Sequence, residues 1–399
     1  MEPAIALFDL DSVLVYPGGY QTAFFQTIRH ILKEINLEYL LPGEEIFDLF
    51  EANAVTSEWD KIPITLTIIL EAIFQEHPCL VGSENFQAAL QLIKATRLRH
   101  INIDFPAAIS AISHSFRQTN IPSLGLLQSI RNEQFGELFK HWKTSALLSD
   151  LLQTTRDINQ SFPNRLFQNF VLGSQLFQKV YHLPMEVESD SLMLQNDRVL
   201  ISPEAADRLS NYYKNGQLWI AALTFRPSLP PREVQLTENG YPPEAEMALK
   251  RLKFHTIPLI GYGRIYYLAQ HVHTTADTLI KPSPIQALAG IAAAWLCNEW
   301  KALTWAYEIY HHPSYEKRKL LPTHFQLHVF EDSTLGILSS RSAVEILEKR
   351  GYHIDLHTWG ISSTQRKTYA LEAAGVPVFS DVNEAVSKLQ DFLPNVSTL

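Results

Sequence analysis

Residues 3–8, PAIALF, make a short unbroken apolar run, the pattern of a strand buried on both faces of a parallel sheet, and Pro17, Gly18 and Gly19 punctuate the chain soon afterwards. The texture then changes. From about residue 20 to about residue 180, stretches such as YQTAFFQTIRHILKEI and NFQAALQLIKATRL repeat apolar residues at every third and fourth position, with no alternating strands between them. This block reads as all-helical. After residue 196, VLISPEAADRLSNYYKNGQLWIAALT predicts a helix, a stop at Gly216 and a strand. IPLIGYG, LHVFEDSTLG, HIDLHTWG and VPVFSD add further strands, with helical KPSPIQALAGIAAAWLCNEW among them. Such alternation predicts an α/β, Rossmann-like core with a central, mainly parallel sheet flanked by helices, and a site at the carboxyl ends of the strands. The helical block becomes an insertion directly after the first strand, where a cap domain would sit.

Bulk properties narrow the partners. The 399 residues are 46% hydrophobic, enough for a substantial core. A formal net charge of -9 offers no basic excess to neutralise nucleic-acid phosphates. Cys79 and Cys297 lie far apart, so neither a disulfide framework nor a thiolate metal cluster is expected. The first residues carry Glu2, no Lys or Arg and only a short apolar run, unlike a signal peptide. No apolar stretch approaches the roughly 18 residues of a membrane span. The expected compartment is the cytoplasm, with no membrane partner.

Candidate chemistry gathers at the strand ends. Asp9 and Asp11 follow the first apolar run at a spacing of two, which on a strand points both carboxylates the same way. Such a pair repels unless a cation or a shared proton relieves it, and a divalent ion with oxygen ligands, magnesium above all, is one relief. The alternative is that one Asp caps a turn while the other is solvated. LWIAALTFRPS places Thr224 at a second strand end, with Arg226 just beyond; the hydroxyl either holds a phosphate oxygen or merely begins a turn. Lys281, before Pro282 and a helix, is either solvated or a point charge beside a phosphate. Glu331 and Asp332, ending LHVFED before Ser333 and Gly336, either complete an oxygen cage or cap the next helix.

These four pieces, in this order, resemble the haloacid dehalogenase superfamily of phosphohydrolases. Its first motif, D-x-D-x-V or T, matches Asp9 to Val13; its second matches Thr224; its third matches Lys281; its acidic fourth matches Glu331 and Asp332. The E-D-S-x-x-G form is similar to the beta-phosphoglucomutase and phosphoglycolate phosphatase branch. The resemblance covers residues 1–16 and 197–399 as catalytic core, and places residues 17–196 as a helical cap that governs substrate specificity. It implies a magnesium-dependent phosphatase acting on a small soluble phosphomonoester, a sugar phosphate or similar metabolite. Asp9 would be the nucleophile that forms an aspartyl-phosphate, and Asp11 the acid and then the base. Asp9, the backbone carbonyl of Asp11 and Asp332 would hold magnesium, with Glu331 among the ligands or one step behind them, and Thr224 and Lys281 would clamp the phosphate. A phosphosugar mutase uses the same motifs, and a catalytically silent scaffold on this fold is the reading from a different class.

Three features depart from the family. Ser12 stands where the family most often has Gly, which bears on the turn after Asp11 and on substrate contacts there. The insertion is much longer than the branch's caps. The aromatic-rich segment 298–325 is extra, and reads as core helix or as a surface between two copies in a homodimer. Within the insertion, EANAVTSEWDKIP reads as a loop between helices, and Trp59 and Asp60 are its candidate specificity residues, set against a helix capped by Thr56 or Ser57. Arg226 is a candidate substrate clamp or a surface ion pair. The 15 histidines lack a helical i, i+4 metal pair with a neighbouring acid and read as surface or structural residues.

Overall fold

The computed structural model describes residues 2–98, 100–235, 240–312 and 320–393. The chain forms two compact units, Met1–Pro17 with Asp197–Leu399, and Gly18–Asn196. The first is mixed α/β. Its sheet has six strands, β1 (Ala4–Asp9), β4 (Trp219–Leu223), β5 (Leu259–Ile260), β6 (His324–Glu331), β7 (His353–Ile361) and β8 (Val378–Phe379), in the order β5-β4-β1-β6-β7-β8. Every neighbouring pair in it is parallel. Two further short strands, β2 (Val15–Tyr16) and β3 (Arg198–Val199), pair antiparallel beside the sheet, with the Arg198 guanidinium 4.4 Å from the Tyr16 ring centroid.

All six residues of β1 are buried, as a central parallel strand with both faces covered requires. Its alternate residues serve two cores. Ile5 and Leu7 face the helix Ile285–Leu296, which is apolar nearly all round. Ala6 and Phe8 face the side covered by helices Pro203–Lys214, Glu244–Arg251 and Val382–Leu389, where Phe8 stacks on Phe330 at 4.2 Å and Phe330 on Trp359 at 5.6 Å. Gly290 lets the central helix close on the sheet, because a Cβ there would lie 2.7 Å from Leu223 Cδ2. The register fixes the site: Asp9 lies beside Leu223, and Phe8 beside Phe330, so the chain just after β4 and the end of β6 both border the end of β1.

The aromatic-rich segment packs one face into the core where it is described, and leaves Tyr310 exposed. Helix Glu299–His311 buries Ala302, Leu303, Trp305, Ala306 and Ile309, while residues 313–319 lie outside the described residues.

The second unit is helical, with no strand among its described residues. Its longest helix, Glu58–Glu76, buries fourteen of its residues, Pro63 among them. The stretch expected as a loop is mostly not one. Glu51 lies in helix Ile46–Ala52, only residues 53–57 link it to the next, and Trp59 and Asp60 occupy that helix's first turn. No helix among the described residues is long and apolar enough to cross a membrane.

Candidate active site

The strand geometry that would align the two N-terminal aspartates stops at Asp9. Leu10 onward forms a tight turn, in which Val15 N and Leu14 N donate to Leu10 O and Ser12 N donates to Val15 O at 2.7 Å. Ser12 carries φ +62, the left-handed conformation that glycine adopts most easily. The serine keeps the glycine-type backbone instead of altering the turn. Asp9 and Asp11 consequently face different partners.

Asp9 joins the acids that end β6. Lys281 Nζ donates to Asp9 Oδ1 at 3.0 Å and to Glu331 Oε1, so one buried ammonium bridges β1 and β6. Side-chain oxygens of Asp9, Glu331 and Asp332 all lie within 4.8 Å of one another. Burial pushes the Asp9 carboxyl well above the ordinary carboxylate range, with Glu331, Asp332 and Asp11 adding to the rise and Lys281 opposing it. Burial likewise raises Glu331 against the pull of Lys281. Burial works to strip Lys281 of its proton, but the charges of Asp9 and Glu331 outweigh it and lift that pKa above the usual lysine value. The three acids and the ammonium thus share one buried cluster.

The E-D-S-x-x-G pattern has a local physical reason. Ser333 caps the helix Thr334–Glu348, its Oγ accepting from Gly336 N at 3.2 Å while donating to Glu331 Oε2 at 3.1 Å. Gly336 leaves the room Glu331 occupies, since a Cβ there would sit 2.0 Å from the Glu331 carboxyl carbon.

Thr224 and Arg226 surround Asp11. Thr224 Oγ1 donates to Asp11 Oδ2 at 3.2 Å and accepts from Arg226 N at 3.0 Å. Arg226 Nε donates to Asp11 Oδ1 at 2.7 Å and its Nη1 to Asp197 Oδ2 at 2.6 Å. Arg226 is buried, at 2% exposure, which corrects the expectation of a surface ion pair.

Asp9, Asp11, Thr224, Arg226, Lys281, Glu331 and Asp332 therefore lie at the carboxyl ends of β1, β4 and β6, with Ser12 in the turn beside them. Asp60 has a different place. It is buried inside the helical unit, where Oδ1 accepts from Ser123 N and Oγ and Oδ2 pairs with Arg156 at 2.5 Å. Trp59 contributes its carbonyl to Asn164 Nδ2 at 3.0 Å.

Four neighbours of the site went unread in the sequence. Lys367, on helix Gln365–Ala373, puts Nζ 2.7 Å from Asp332 Oδ2. Gln286 donates to the carbonyls of Thr224 and Ile260, tying the ends of β4 and β5. Phe225 is half-exposed, with Lys281 Nζ 5.5 Å from its ring centroid. Asp197 anchors Arg226. Only Phe225 had a signal, its place between Thr224 and Arg226; the others depend on contacts between distant segments.

No protein-family model and no curated protein matches the chain. Among solved structures it is similar to an X-ray structure of a target of the Northeast Structural Genomics Consortium, with TM-score 0.63 at 14% identity over 98% of this chain and 99% of that one. Phosphatase Tt82 from Thermococcus thioreducens aligns with TM-score 0.43 at 13% identity over 97% of this chain and 99% of its own. The first likeness is one of fold.

Proposed function

We propose that the chain is a phosphatase of the haloacid dehalogenase type, hydrolysing a small soluble phosphomonoester through an aspartyl-phosphate on Asp9. The observation that carries this reading is the meeting of Asp9, Glu331 and Asp332 around Lys281 at the ends of parallel strands, with Asp11 and Thr224 alongside. A binding module has no need to crowd three carboxylates into a buried space, where each raises the cost of ionising the next.

The three acids offer only oxygen donors close together, which suits a hard divalent cation such as magnesium. Asp9, Asp332 and the backbone carbonyl of Asp11 would hold it, with Glu331 among them or one step behind. When bound, the ion would supply positive charge against the phosphoryl oxygens.

The remaining work falls to the chain's own groups. An Asp9 carboxylate oxygen attacks phosphorus, and the bond to the leaving oxygen breaks with its electron pair staying on that oxygen, which takes a proton from Asp11. Water then gives a proton to Asp11 as its oxygen closes on phosphorus and the bond to Asp9 opens, releasing inorganic phosphate. Lys281 holds Asp9 in one orientation and offsets negative charge on the transferring group.

The test is phosphate release from a panel of metabolite phosphates and p-nitrophenyl phosphate, with and without magnesium. Magnesium-dependent turnover that falls about a thousandfold or more in Asp9→Asn is expected. Absence of magnesium-dependent release across the panel overturns the reading, and recovery of an isomeric sugar phosphate in place of inorganic phosphate reassigns it to a mutase.

A further inference from the structure

Arg226 looks at first like a group for gripping substrate phosphate, yet it is buried and three of its nitrogens lie against protein carboxylates. Nε and Nη2 both reach Asp11 Oδ1, at 2.7 and 2.6 Å, and Nη1 reaches Asp197 Oδ2 at 2.6 Å. Its backbone is pinned as well. Arg226 N donates to Thr224 Oγ1 and Arg226 O accepts from Tyr262 N, while Gly263, where a Cβ would lie 1.8 Å from Ser228 O, lets the following loop press against the helix Tyr262–His271. A buried guanidinium is tolerated when its planar fork is matched by carboxylates, and here two of them match it. Asp11 lies just ahead of β2 and Asp197 immediately precedes β3, so the chain Asp11–Arg226–Asp197 links the two segments between which residues 18–196 are inserted.

We infer that Arg226, anchored by Asp197, is a positioning residue for Asp11. Resting on the phosphatase reading, this gives Arg226 a role in proton delivery and none in phosphate binding. Asp11 is held through Oδ1, while Oδ2 carries the Thr224 hydroxyl at 3.2 Å, and the side chain keeps 27% exposure. Oδ2 is the oxygen placed to give its proton to the leaving oxygen as the bond from phosphorus to that oxygen breaks. It later receives the proton of the attacking water. In this role Arg226, buried behind Asp11, acts on the reaction only through that carboxylate, fixing the direction from which the proton comes.

Leaving groups differ in how much they need that proton, and this separates positioning from general structural damage. p-Nitrophenolate departs readily without protonation, whereas the alkoxide of β-glycerol phosphate does not. Arg226→Lys keeps the charge but loses the fork, and Asp197→Asn keeps the shape but loses the anchor's charge. In both, kcat/KM for β-glycerol phosphate is expected to fall by about tenfold or more beyond any fall for p-nitrophenyl phosphate, with Asp11→Asn marking the limit of the effect. Because both substrates are compared on the same sample, a partly unfolded variant lowers both rates and leaves their ratio unchanged. Equal losses on the two substrates, or a change confined to KM, overturn the positioning role and leave the phosphatase reading standing. An unsubstituted protein that hydrolyses neither substrate with magnesium overturns both.

Discussion

At the scale of single residues, two positions show the backbone and the site making demands on one another. Ser12 holds φ +62 so that the turn can close through Ser12 N to Val15 O while Asp11 reaches Thr224 and Arg226. A left-handed residue with a side chain costs about 1–2 kcal/mol, and glycine gives back part of that relief by loosening the unfolded chain. Ser12→Gly is therefore expected to raise stability by about 0.5 kcal/mol in denaturant unfolding. A loss of stability would mean that the serine side chain matters more than its backbone. Gly336 makes the opposite demand, for empty space. Gly336→Ala would place a methyl 2.0 Å from the Glu331 carboxyl. We expect it to destabilise the fold by about 1–3 kcal/mol and, on the proposed function, to weaken magnesium binding by displacing Glu331 from Lys281, measured by unfolding and by metal titration. Unchanged metal affinity would show that Glu331 stands outside the proposed cation site.

At the scale of elements, the site is an outcome of strand register. The end of β1 lies between β4 and β6, so register brings together three of the four short motifs legible in the sequence, and Lys281, just ahead of the helix Ile285–Leu296, reaches them through its side chain. That much could be read because buried parallel strands announce themselves as apolar runs, and because ionisable residues directly after such runs must emerge at one edge of the sheet. What could not be read involved no periodic pattern. The two-residue strands β2 and β3 are too short to leave one. Lys367 and Asp197 gain their roles only when a helix and a junction segment fold against the site. Asp60 sits in a polar stretch that looks like a loop, but Ser123 and Arg156, far along the chain, draw it into the interior of the helical unit. The junction between β6 and the helix Thr334–Glu348 is where element and site are one structure, since Ser333 serves both. Ser333→Ala should cost about 1–2 kcal/mol, more than a solvent-exposed cap normally contributes, because Glu331 loses a donor as well. Loss restored by Ser333→Thr, which keeps the hydroxyl, would support that account; an alanine variant as stable as the parent would refute it.

For the molecule as a whole, the feature least visible in the sequence is how the core handles acid. His328 reads in sequence as one histidine among 15, yet on β6 it is fully buried, stacked on His357 at 4.8 Å and packed against Trp359 and Phe392. Its Nε2 lies 3.4 Å from Gln326 Oε1, and the facing His357 is 3.0 Å from Asp355. Burial, and then the charge of His357, push its pKa down to about 3. The sign follows directly. Folded, the imidazole stays neutral down to about pH 3; unfolded, it takes a proton near pH 6.5. Between those values the unfolded chain binds more protons, so this residue's contribution to stability is intact above about pH 6.5 and is lost progressively as the pH falls. A single such group contributes a slope of about 1.4 kcal/mol per pH unit, or about 2 kcal/mol between about pH 6.5 and about pH 5. His328→Gln removes the titrating group while keeping a polar side chain beside Gln326. Denaturant unfolding of the two proteins at a series of pH values should give curves whose separation changes by roughly that amount across this interval and is constant above it. A separation that does not vary with pH would mean that His328 takes up its proton at the same pH folded and unfolded, and would overturn the lowered pKa; a separation that varies above about pH 6.5 instead would mean that the β6–β7 ladder carries a buried positive charge.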